Sequence, residues 1–310
     1  MTVSDVAARL DPALLRFAAA RTDLSADTLP AVRQSLDGRR AEAAATVDTT
    51  GVEIDDRTAR FGHASIGVRI YRGGPSPAPA VVYCHSGAFV LGNLDTDHRQ
   101  CVEFARRAEC TVVSVDYRLA PEHRYPAAVD DALTGLRWVV ANAVELQVDP
   151  SRVAVAGSSA GGALAALLAQ ASAAGTAPPV VFQLLHQPVL DDRPTPSQRE
   201  FATTAGFDGP AVEQMWRHYL PPGTEPAGIA PARRADLTGL PPAFVSCSEL
   251  DPLRDEALDY ARRLVGAGVA TELHLYPGTC HGFDSLLPDW EISRQLFDLQ
   301  GTALRRALHQ

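Results

Sequence analysis

The amino-acid sequence predicts an α/β fold, in which a mostly parallel, doubly wound sheet carries a helical cap over the carboxyl edge of its strands. Short apolar segments alternate with amphipathic ones along most of the chain, as parallel strands and their crossover helices do. This alternation stops over 191–236, where the chain becomes polar and rich in proline and glycine. The first 45 residues are helical in character and rich in alanine.

The strands and helices can be placed in chain order from these patterns. An adjacent pair of strands is expected over 50–57 and 61–72, and further strands over 79–85, 111–117, 152–157, 179–190, 242–248 and 271–277. Apolar residues recur with a helical period between them. Helices are therefore expected over 95–110, 126–146, 159–174, 209–219, 253–266 and 289–308.

The same elements divide the chain into core and cap. The sequence predicts an N-terminal cap segment over 1–45, a first part of the core over 46–190, a cap insertion over 191–236 and a second part of the core over 237–310. An insertion late in a doubly wound fold usually covers the site at the carboxyl edge of the sheet. We therefore expect the two cap segments to form one lid.

Composition and charge exclude several classes of partner. Of the 310 residues, 46% are hydrophobic and 21% are charged, which is typical of a soluble globular protein. The formal net charge of −9 has the wrong sign for binding nucleic acid or an anionic membrane surface. No apolar stretch reaches the roughly 18–20 residues that a membrane span needs.

The N-terminus and the cysteines indicate a cytoplasmic protein. The stretch MTVSDVAARLDPALLRFAAARTDL carries charges at intervals, so we interpret it as an amphipathic helix and not as a signal peptide. The chain has five scattered cysteines without metal-binding spacing, and these are expected to be buried free thiols in a reducing compartment.

A short glycine-rich stretch, GSSAG at 157–161, fits the pattern G-x-S-x-G. It lies between the apolar run RVAVA and the helix-forming run ALAALLAQA, so it predicts a sharp turn from a strand into a helix. Such a turn exposes the central serine, Ser159, beside the positive end of the helix. Ser158 is one residue off the pattern and is interpreted as a supporting residue. The alternative is a plain glycine-rich turn.

A serine needs a base and an orienting acid to become a good nucleophile. The segment SELDPLRDE, after the strand over 242–248, offers four acids, namely Glu249, Asp251, Asp255 and Glu256. The segment GTCHGF, after the strand over 271–277, offers His281. Both segments are expected at the same edge of the sheet as Ser159, whereas the other histidines have weaker cases.

A third segment, HSGAF at 85–89, directly follows a predicted strand. A loop of small residues at this point can direct backbone N–H groups at a substrate oxygen. The alternative is an ordinary turn from strand to helix.

Taken together, these stretches resemble the hormone-sensitive lipase family of α/β-hydrolase esterases. HSGAF is similar to the family's HGGGF motif, DYRLAPEHRYPAAVDD at 116–131 to the signature after the next strand, and GSSAGG to GDSAGG or GTSAGG. DPLRDE is similar to the acid motif and HGF to the histidine motif. The resemblance runs from about residue 45 to the C-terminus, and it implies the α/β-hydrolase fold.

The resemblance also implies a role for each motif residue. Ser159 would be the nucleophile, His281 the base and Asp251 the orienting acid, which leaves Asp255 and Glu256 as supporting or surface groups. The oxyanion hole would be formed by the backbone N–H groups of Gly87, Ala88 and Ala160, with support from His85, Ser86, Gly157, Ser158 and Gly161. Ser86 and Ala88 depart from the family, which has glycine at both positions.

The function implied is that of a serine carboxylesterase, which acts on a small-molecule ester of short to medium acyl chain through an acyl-enzyme. No metal or organic cofactor is implied. Amide or carbamate hydrolysis by the same triad is the main alternative. A non-catalytic receptor or a scaffold is less favoured, because related plant gibberellin receptors have lost the histidine that is present here as His281. The sequence leaves the oligomeric state open, and a homodimer is one alternative, since relatives often dimerise through the sheet edge.

Overall fold

The computed structural model describes residues 6–223 and 229–310. Residues 1–5 of the predicted N-terminal cap segment and 224–228 of the predicted cap insertion lie outside the described residues.

A mixed sheet runs through the described residues, with its strands in the order β1-β2-β4-β3-β5-β6-β7-β8. Strands β1 and β2 form a hairpin, β2 pairs antiparallel with β4, and every other pairing is parallel. The strands are β1 Glu53–Phe61, β2 Ala64–Arg72, β3 Ala78–Cys84, β4 Thr111–Asp116, β5 Val148–Ser158, β6 Phe182–His186, β7 Ala243–Ser248 and β8 Thr271–Tyr276. Each predicted strand is therefore confirmed, although β6 is shorter than the predicted 179–190.

Helices cover both faces of this sheet, as the doubly wound class predicts. One layer of the core packs with the helices Ala127–Ala141, Ala160–Ala173 and Arg254–Gly266, and the opposite layer with His98–Arg107 and Glu291–Leu308. Strand β3 is buried at every position because both of its faces are covered. The remaining α-helices are Leu29–Ala44, Ala143–Leu146, Pro196–Glu200, Gly209–Tyr219 and Phe283–Leu286, and 3-10 turns lie at Pro12–Phe17 and Pro231–Arg233.

Two helical predictions were wrong in detail. The helix predicted over 126–146 is broken at Asn142, whose side-chain amide donates to the carbonyl of Trp138 at 2.8 Å and so ends the first segment. The single amphipathic helix predicted at the N-terminus is interrupted after Ala7, and Asp11 N–H donates to the carbonyl of Gly278 at 2.9 Å. Pro12 then begins a separate 3-10 turn capped by the side chain of Asp11. Proline suits the first position of such a turn, because its missing N–H is not needed there.

The two predicted cap segments contact each other. Thr22 N–H donates to the carbonyl of Gly206 at 2.8 Å, and Leu24 N–H donates to the side chain of Gln214 at 2.8 Å. The His218 ring bonds the carbonyl of Leu24 at 2.7 Å. That these segments act as one lid stays a prediction, as do the predicted domain boundaries.

Across the described residues, the helices are each too short or too polar to cross a membrane. The five cysteines are all buried and free of disulfides.

Candidate active site

Ser159 stands at the turn between β5 and the helix Ala160–Ala173, with φ 56° and ψ −118°. The turn requires glycine on either side of the serine. A Cβ on Gly157 would lie 2.2 Å from the carbonyl oxygen of Gly161, and a Cβ on Gly161 would lie 1.9 Å from that of Cys84. Ser159 N–H donates to the carbonyl of His186 at 2.8 Å, which ties the turn to β6.

The structure brings Ser159, His281 and Asp251 together in one hydrogen-bonded row. The distance from His281 Nε2 to Ser159 Oγ is 3.0 Å, and that from His281 Nδ1 to Asp251 Oδ2 is 2.7 Å. Asp251 is fully buried, and its other oxygen accepts from Leu253 N–H at 2.8 Å. In this arrangement Nδ1 carries the proton shared with Asp251, so Nε2 is free to accept the serine proton.

The other three candidate acids bond elsewhere. Glu249 accepts from Gly278 N–H, and Asp255 accepts from Ser197 N–H, each at 2.8 Å. Glu256 is buried rather than on the surface, and it accepts from the N–H of Leu190 at 2.7 Å. Burial raises the pKa of the Glu256 carboxyl well above its usual value. Asp251 is therefore the candidate acid that contacts His281.

The loop after β3 brings Gly87 and Ala88 to the same cavity as Ser159 and His281. Gly87 has φ 133°, where a Cβ would lie 2.0 Å from the carbonyl oxygen of Leu91. Ala88 and Phe89 have φ 54° and 59°, which L-residues adopt only at a cost. Within 6–223 and 229–310, the N–H groups of Gly87 and Ala88 donate to no acceptor.

The carboxylate of Asp97 holds Ser86, the residue before Gly87 in this loop, by two hydrogen bonds. The sequence analysis did not identify Asp97 as a site residue. Ser86 donates to its two oxygens, from the backbone N–H at 2.7 Å and from the hydroxyl at 3.0 Å, and Tyr83 donates a further bond at 2.9 Å. Burial raises the pKa of Asp97, while these hydrogen bonds oppose the rise. Ser86, which replaces a family glycine, thus donates two hydrogen bonds to a buried carboxylate. An aspartate before a helix ordinarily predicts a cap, so the sequence carried no signal for this contact.

His85 and Ser158 occupy supporting positions in the structure. The His85 ring donates from Nδ1 to the carbonyl of Ser86 at 2.7 Å and stacks on Tyr117 at 4.2 Å. Burial lowers the pKa of His85 to about 4, so its ring is neutral near pH 7. Ser158 lies at the end of β5 and lines the cavity, but its hydroxyl makes no hydrogen bond to the described residues.

The cavity above Ser159 has a volume of about 610 Å³. That size is in the range of small-molecule sites. Its walls come from the helix Leu29–Ala44 in the predicted N-terminal cap segment, the loop after β3 and the segment that follows His281. The apolar part of this lining includes Leu36, Ala43, Val47, Leu91, Phe207, Leu286, Pro288 and Phe297.

Comparison with known proteins gives consistent matches. A family model described as the alpha/beta hydrolase fold matches residues 81–285. Carboxylesterase NlhH of Mycobacterium tuberculosis is 42% identical over 271 residues, which cover 83% of this chain and 84% of that protein. Ethyl acetate hydrolase of Pseudomonas putida is 38% identical over 240 residues, or 73% of each chain. Among solved structures, esterase LipW from Mycobacterium marinum has a TM-score of 0.96 at 57% identity over 98% of both chains. A bacterial heroin esterase has a TM-score of 0.91 at 36% identity, over 98% of this chain and 99% of that chain.

Proposed function

Because the chain belongs to the hormone-sensitive lipase group of α/β-hydrolase carboxylesterases, we propose that it hydrolyses small-molecule esters through a Ser159–His281–Asp251 triad. The observation that carries the proposal is the row of two hydrogen bonds, 3.0 Å from Ser159 to His281 and 2.7 Å from His281 to Asp251. A serine with a base and an oriented carboxylate in this order is the arrangement that acyl transfer needs.

Each member of the triad has one task in the proposed reaction. Ser159 Oγ attacks the ester carbonyl carbon while His281 Nε2 takes the hydroxyl proton. The same proton then goes to the alcohol oxygen as the C–O bond breaks, which leaves an acyl-enzyme on Ser159. A water molecule, deprotonated by His281, then attacks this acyl group. The bond between the acyl carbon and Ser159 Oγ breaks, His281 returns the proton to Oγ, and the carboxylic acid leaves. Asp251 holds His281 in the tautomer that leaves Nε2 able to accept.

The oxyanion formed in each step is proposed to bind the N–H groups of Gly87, Ala88 and Ala160. Two features support this proposal. The N–H groups of Gly87 and Ala88 have no acceptor among the described residues. Ala160 is the first residue of the helix that follows Ser159, where the N–H is unpaired in the helix and the dipole is positive.

The acyl group is proposed to be short to medium in length. The cavity of about 610 Å³ is lined by apolar side chains from both the cap and the core, which suits an alkyl chain better than a polar one. One relative is named for the hydrolysis of ethyl acetate, an ester with a two-carbon acyl group.

A panel of p-nitrophenyl esters from acetate to palmitate tests the proposal directly. We expect the highest kcat/KM with short or medium chains, and a loss of roughly 10⁴–10⁶-fold in kcat for Ser159→Ala. Ser158→Ala is the matched control, because it removes the neighbouring hydroxyl and keeps the turn. A p-nitroanilide amide substrate measured in parallel decides between ester and amide preference. Absence of hydrolysis with every ester would refute the proposed function.

We also propose that the protein forms a homodimer through β8. This strand is the last in the sheet, so one of its edges has no partner strand among the described residues. Leu273 and Leu275 on it are 42% and 44% exposed, and an open edge with apolar side chains favours pairing with a second strand. Sedimentation should give a dimer for the wild type and a monomer for Leu275→Lys. A monomeric wild type at micromolar concentration would rule the dimer out.

A cytoplasmic location is proposed from the five buried free cysteines. Thiols without disulfides are typical of reducing compartments. Cell fractionation with an antibody against the protein tests the proposal, and recovery in the secreted fraction would contradict it.

A further inference from the structure

His281 lies in the loop between β8 and the short helix Phe283–Leu286. Its ring is held by Asp251 and Ser159, but the position of the ring also depends on the backbone that carries it. The peptide groups on the two sides of His281 are held as well, by two buried side chains that the proposed reaction does not use. These side chains are Gln187 and Ser248, named here the His281 clamp.

The clamp is a continuous chain of three hydrogen bonds. Gly282 N–H donates to Gln187 Oε1 at 2.7 Å, Gln187 Nε2 donates to Ser248 Oγ at 2.6 Å, and Ser248 Oγ donates to the carbonyl of Cys280 at 3.1 Å. Gly282 follows His281 and Cys280 precedes it, so the chain closes around the histidine. The Cys280 carbonyl also accepts a longer bond, 3.3 Å, from Phe283 N–H.

The direction of every bond in the clamp is determined by its ends. A backbone N–H can only donate and a carbonyl can only accept. Gln187 must therefore present its oxygen to Gly282 and its amide nitrogen to Ser248, and the Ser248 hydroxyl must donate to Cys280. A side-chain amide can accept at its oxygen and donate at its nitrogen in this way. A carboxylate or an apolar side chain at position 187 would break the chain.

The backbone of Gln187 gives a second, independent indication. Gln187 follows β6 with φ 43°, in the left-handed region that disfavours a long side chain. It is 1% exposed, and its N–H donates to the carbonyl of Ser246 at 2.6 Å. A glycine or asparagine would occupy this conformation at lower cost. The side-chain bonds to Gly282 and Ser248 give a reason for glutamine at this position.

We infer that Gln187, acting through Ser248 and the peptide groups around it, is a positioning residue for His281 in the ester hydrolysis proposed above. His281 Nε2 has to reach Ser159 Oγ in the first step and the leaving alcohol oxygen in the next. Without the clamp, the loop can rotate while the Asp251 contact persists, and Nε2 then leaves the line of proton transfer. Gln187 also lines the cavity, but it is only 1% exposed, so replacing its amide group changes little of the surface that the substrate meets. The clamp therefore acts mainly on the chemical step.

The test measures kcat and KM separately for p-nitrophenyl acetate, with active sites counted by an organophosphonate. Gln187→Met keeps the length of the side chain and removes both bonds. It is expected to lower kcat per active site by about 10²-fold, the effect of a misplacement of about 1 Å, with little change in KM. Ser248→Ala should show the same split with a smaller loss, because Gln187 still accepts from Gly282. The double variant should lose less than the product of the two single losses, because both substitutions break the same bond between Gln187 and Ser248.

Gln183→Met is the matched control. Gln183 lies on β6, the strand that ends just before Gln187, and is fully buried. Its amide donates to the carbonyl of Pro241, away from the loop that carries His281. This variant should keep kcat per active site. If Gln187→Met does not fold, Ser248→Ala tests the clamp instead, by whether its kcat per active site falls while its KM stays the same.

Two results would overturn the clamp while leaving the proposed function intact. One is a wild-type kcat per active site in Gln187→Met or, where that variant is unfolded, in Ser248→Ala. The other is an equal loss in Gln183→Met, which would show a general effect of buried glutamines. If the wild type hydrolyses no ester, the proposed function fails and this inference fails with it.

Discussion

Ala88 offers the sharpest test of how the loop after β3 shapes the substrate. It lines the same cavity as Ser159 and His281, and it replaces a glycine of the family motif. If its N–H group faces the oxyanion, its methyl group narrows the cleft on the side where the alcohol part of the ester lies. We therefore expect the wild type to accept esters of primary alcohols and phenols, and to handle esters of tertiary alcohols poorly.

The substitution Ala88→Gly changes the free energy of substrate discrimination and the free energy of unfolding, and the two changes can be calculated separately. Removing one methyl group from a pocket is worth about 1–3 kcal/mol in discrimination, or roughly 10–200-fold in kcat/KM. Stability changes through the backbone, because Ala88 has φ 54°. A left-handed conformation costs an L-residue about 1–2 kcal/mol, while glycine loses about 0.4–1 kcal/mol through the greater freedom of the unfolded chain. The free energy of unfolding should therefore stay the same or rise by up to about 1.5 kcal/mol.

The assay compares kcat/KM for tert-butyl acetate with that for ethyl acetate in the wild type and in Ala88→Gly. The ratio of the two values is the quantity that matters, since a looser loop would lower both rates alike. Gln147→Gly is the matched control, because Gln147 also has a left-handed backbone, with φ 57°, and is absent from the cavity lining. That variant should leave the ratio unchanged. An unchanged ratio in Ala88→Gly would show that the methyl group points elsewhere and that the proposed oxyanion loop is wrong.

The remaining predictions concern the triad and a buried histidine. Ser159 is expected to be the only serine labelled by an organophosphonate; peptide mapping that finds the label on Ser158 would refute this. Asp251→Asn should lower kcat by roughly 10⁴-fold, because it favours the wrong imidazole tautomer, whereas Asp255→Asn should cost far less; the reverse ranking would identify another acid. His85 has a pKa lowered to about 4 by burial, so between pH 6.5 and 4 only the unfolded chain binds its proton, and the free energy of unfolding should fall on acidification. Urea unfolding should show that this group lowers the free energy of unfolding of the wild type by up to about 3 kcal/mol between pH 6.5 and 4, and that His85→Gln lacks this part of the fall. Identical pH slopes in the wild type and in His85→Gln would mean that His85 is protonated in the fold.

The fold was predictable where burial alone determines the pattern. Strand β3 is buried at every position, and its unbroken apolar run at the predicted place reports this directly. The N-terminal helix was mispredicted because its apolar spacing continues through residues 8–11, where the backbone leaves the helix and Asp11 N–H donates to the carbonyl of Gly278 at 2.9 Å. A contact with a distant segment therefore overrode periodicity, and Pro12 was the local signal that a new turn begins there.

The site residues differ in whether their contacts are made with neighbours in the sequence or with distant segments of the chain. Ser159 and its flanking glycines form a turn within five residues, so a short pattern contains the requirement for small neighbours. Gln187 and Asp97 act across the fold instead. Gln187 accepts a hydrogen bond from Gly282, which lies 95 residues away in the chain. The sequence around neither residue contains a motif that indicates this contact. A single sequence cannot predict a contact that depends on how two strand ends lie side by side.

The conformations around Ser159 have a consequence for stability. Non-glycine residues with positive φ gather at this edge of the sheet, as Ala88, Phe89, Ser159 and Gln187 do. Each such conformation costs of order 1–3 kcal/mol and persists only where surrounding contacts hold it. Those contacts are specific here, since the Phe89 ring stacks on Tyr219 at 3.8 Å and Gln187 is held by the His281 clamp. The Tyr219 ring belongs to the predicted cap insertion, so this segment stabilises the strained loop. Loosening that stack should therefore lower both the free energy of unfolding and the rate of acyl transfer, because the same loop carries the proposed oxyanion donors.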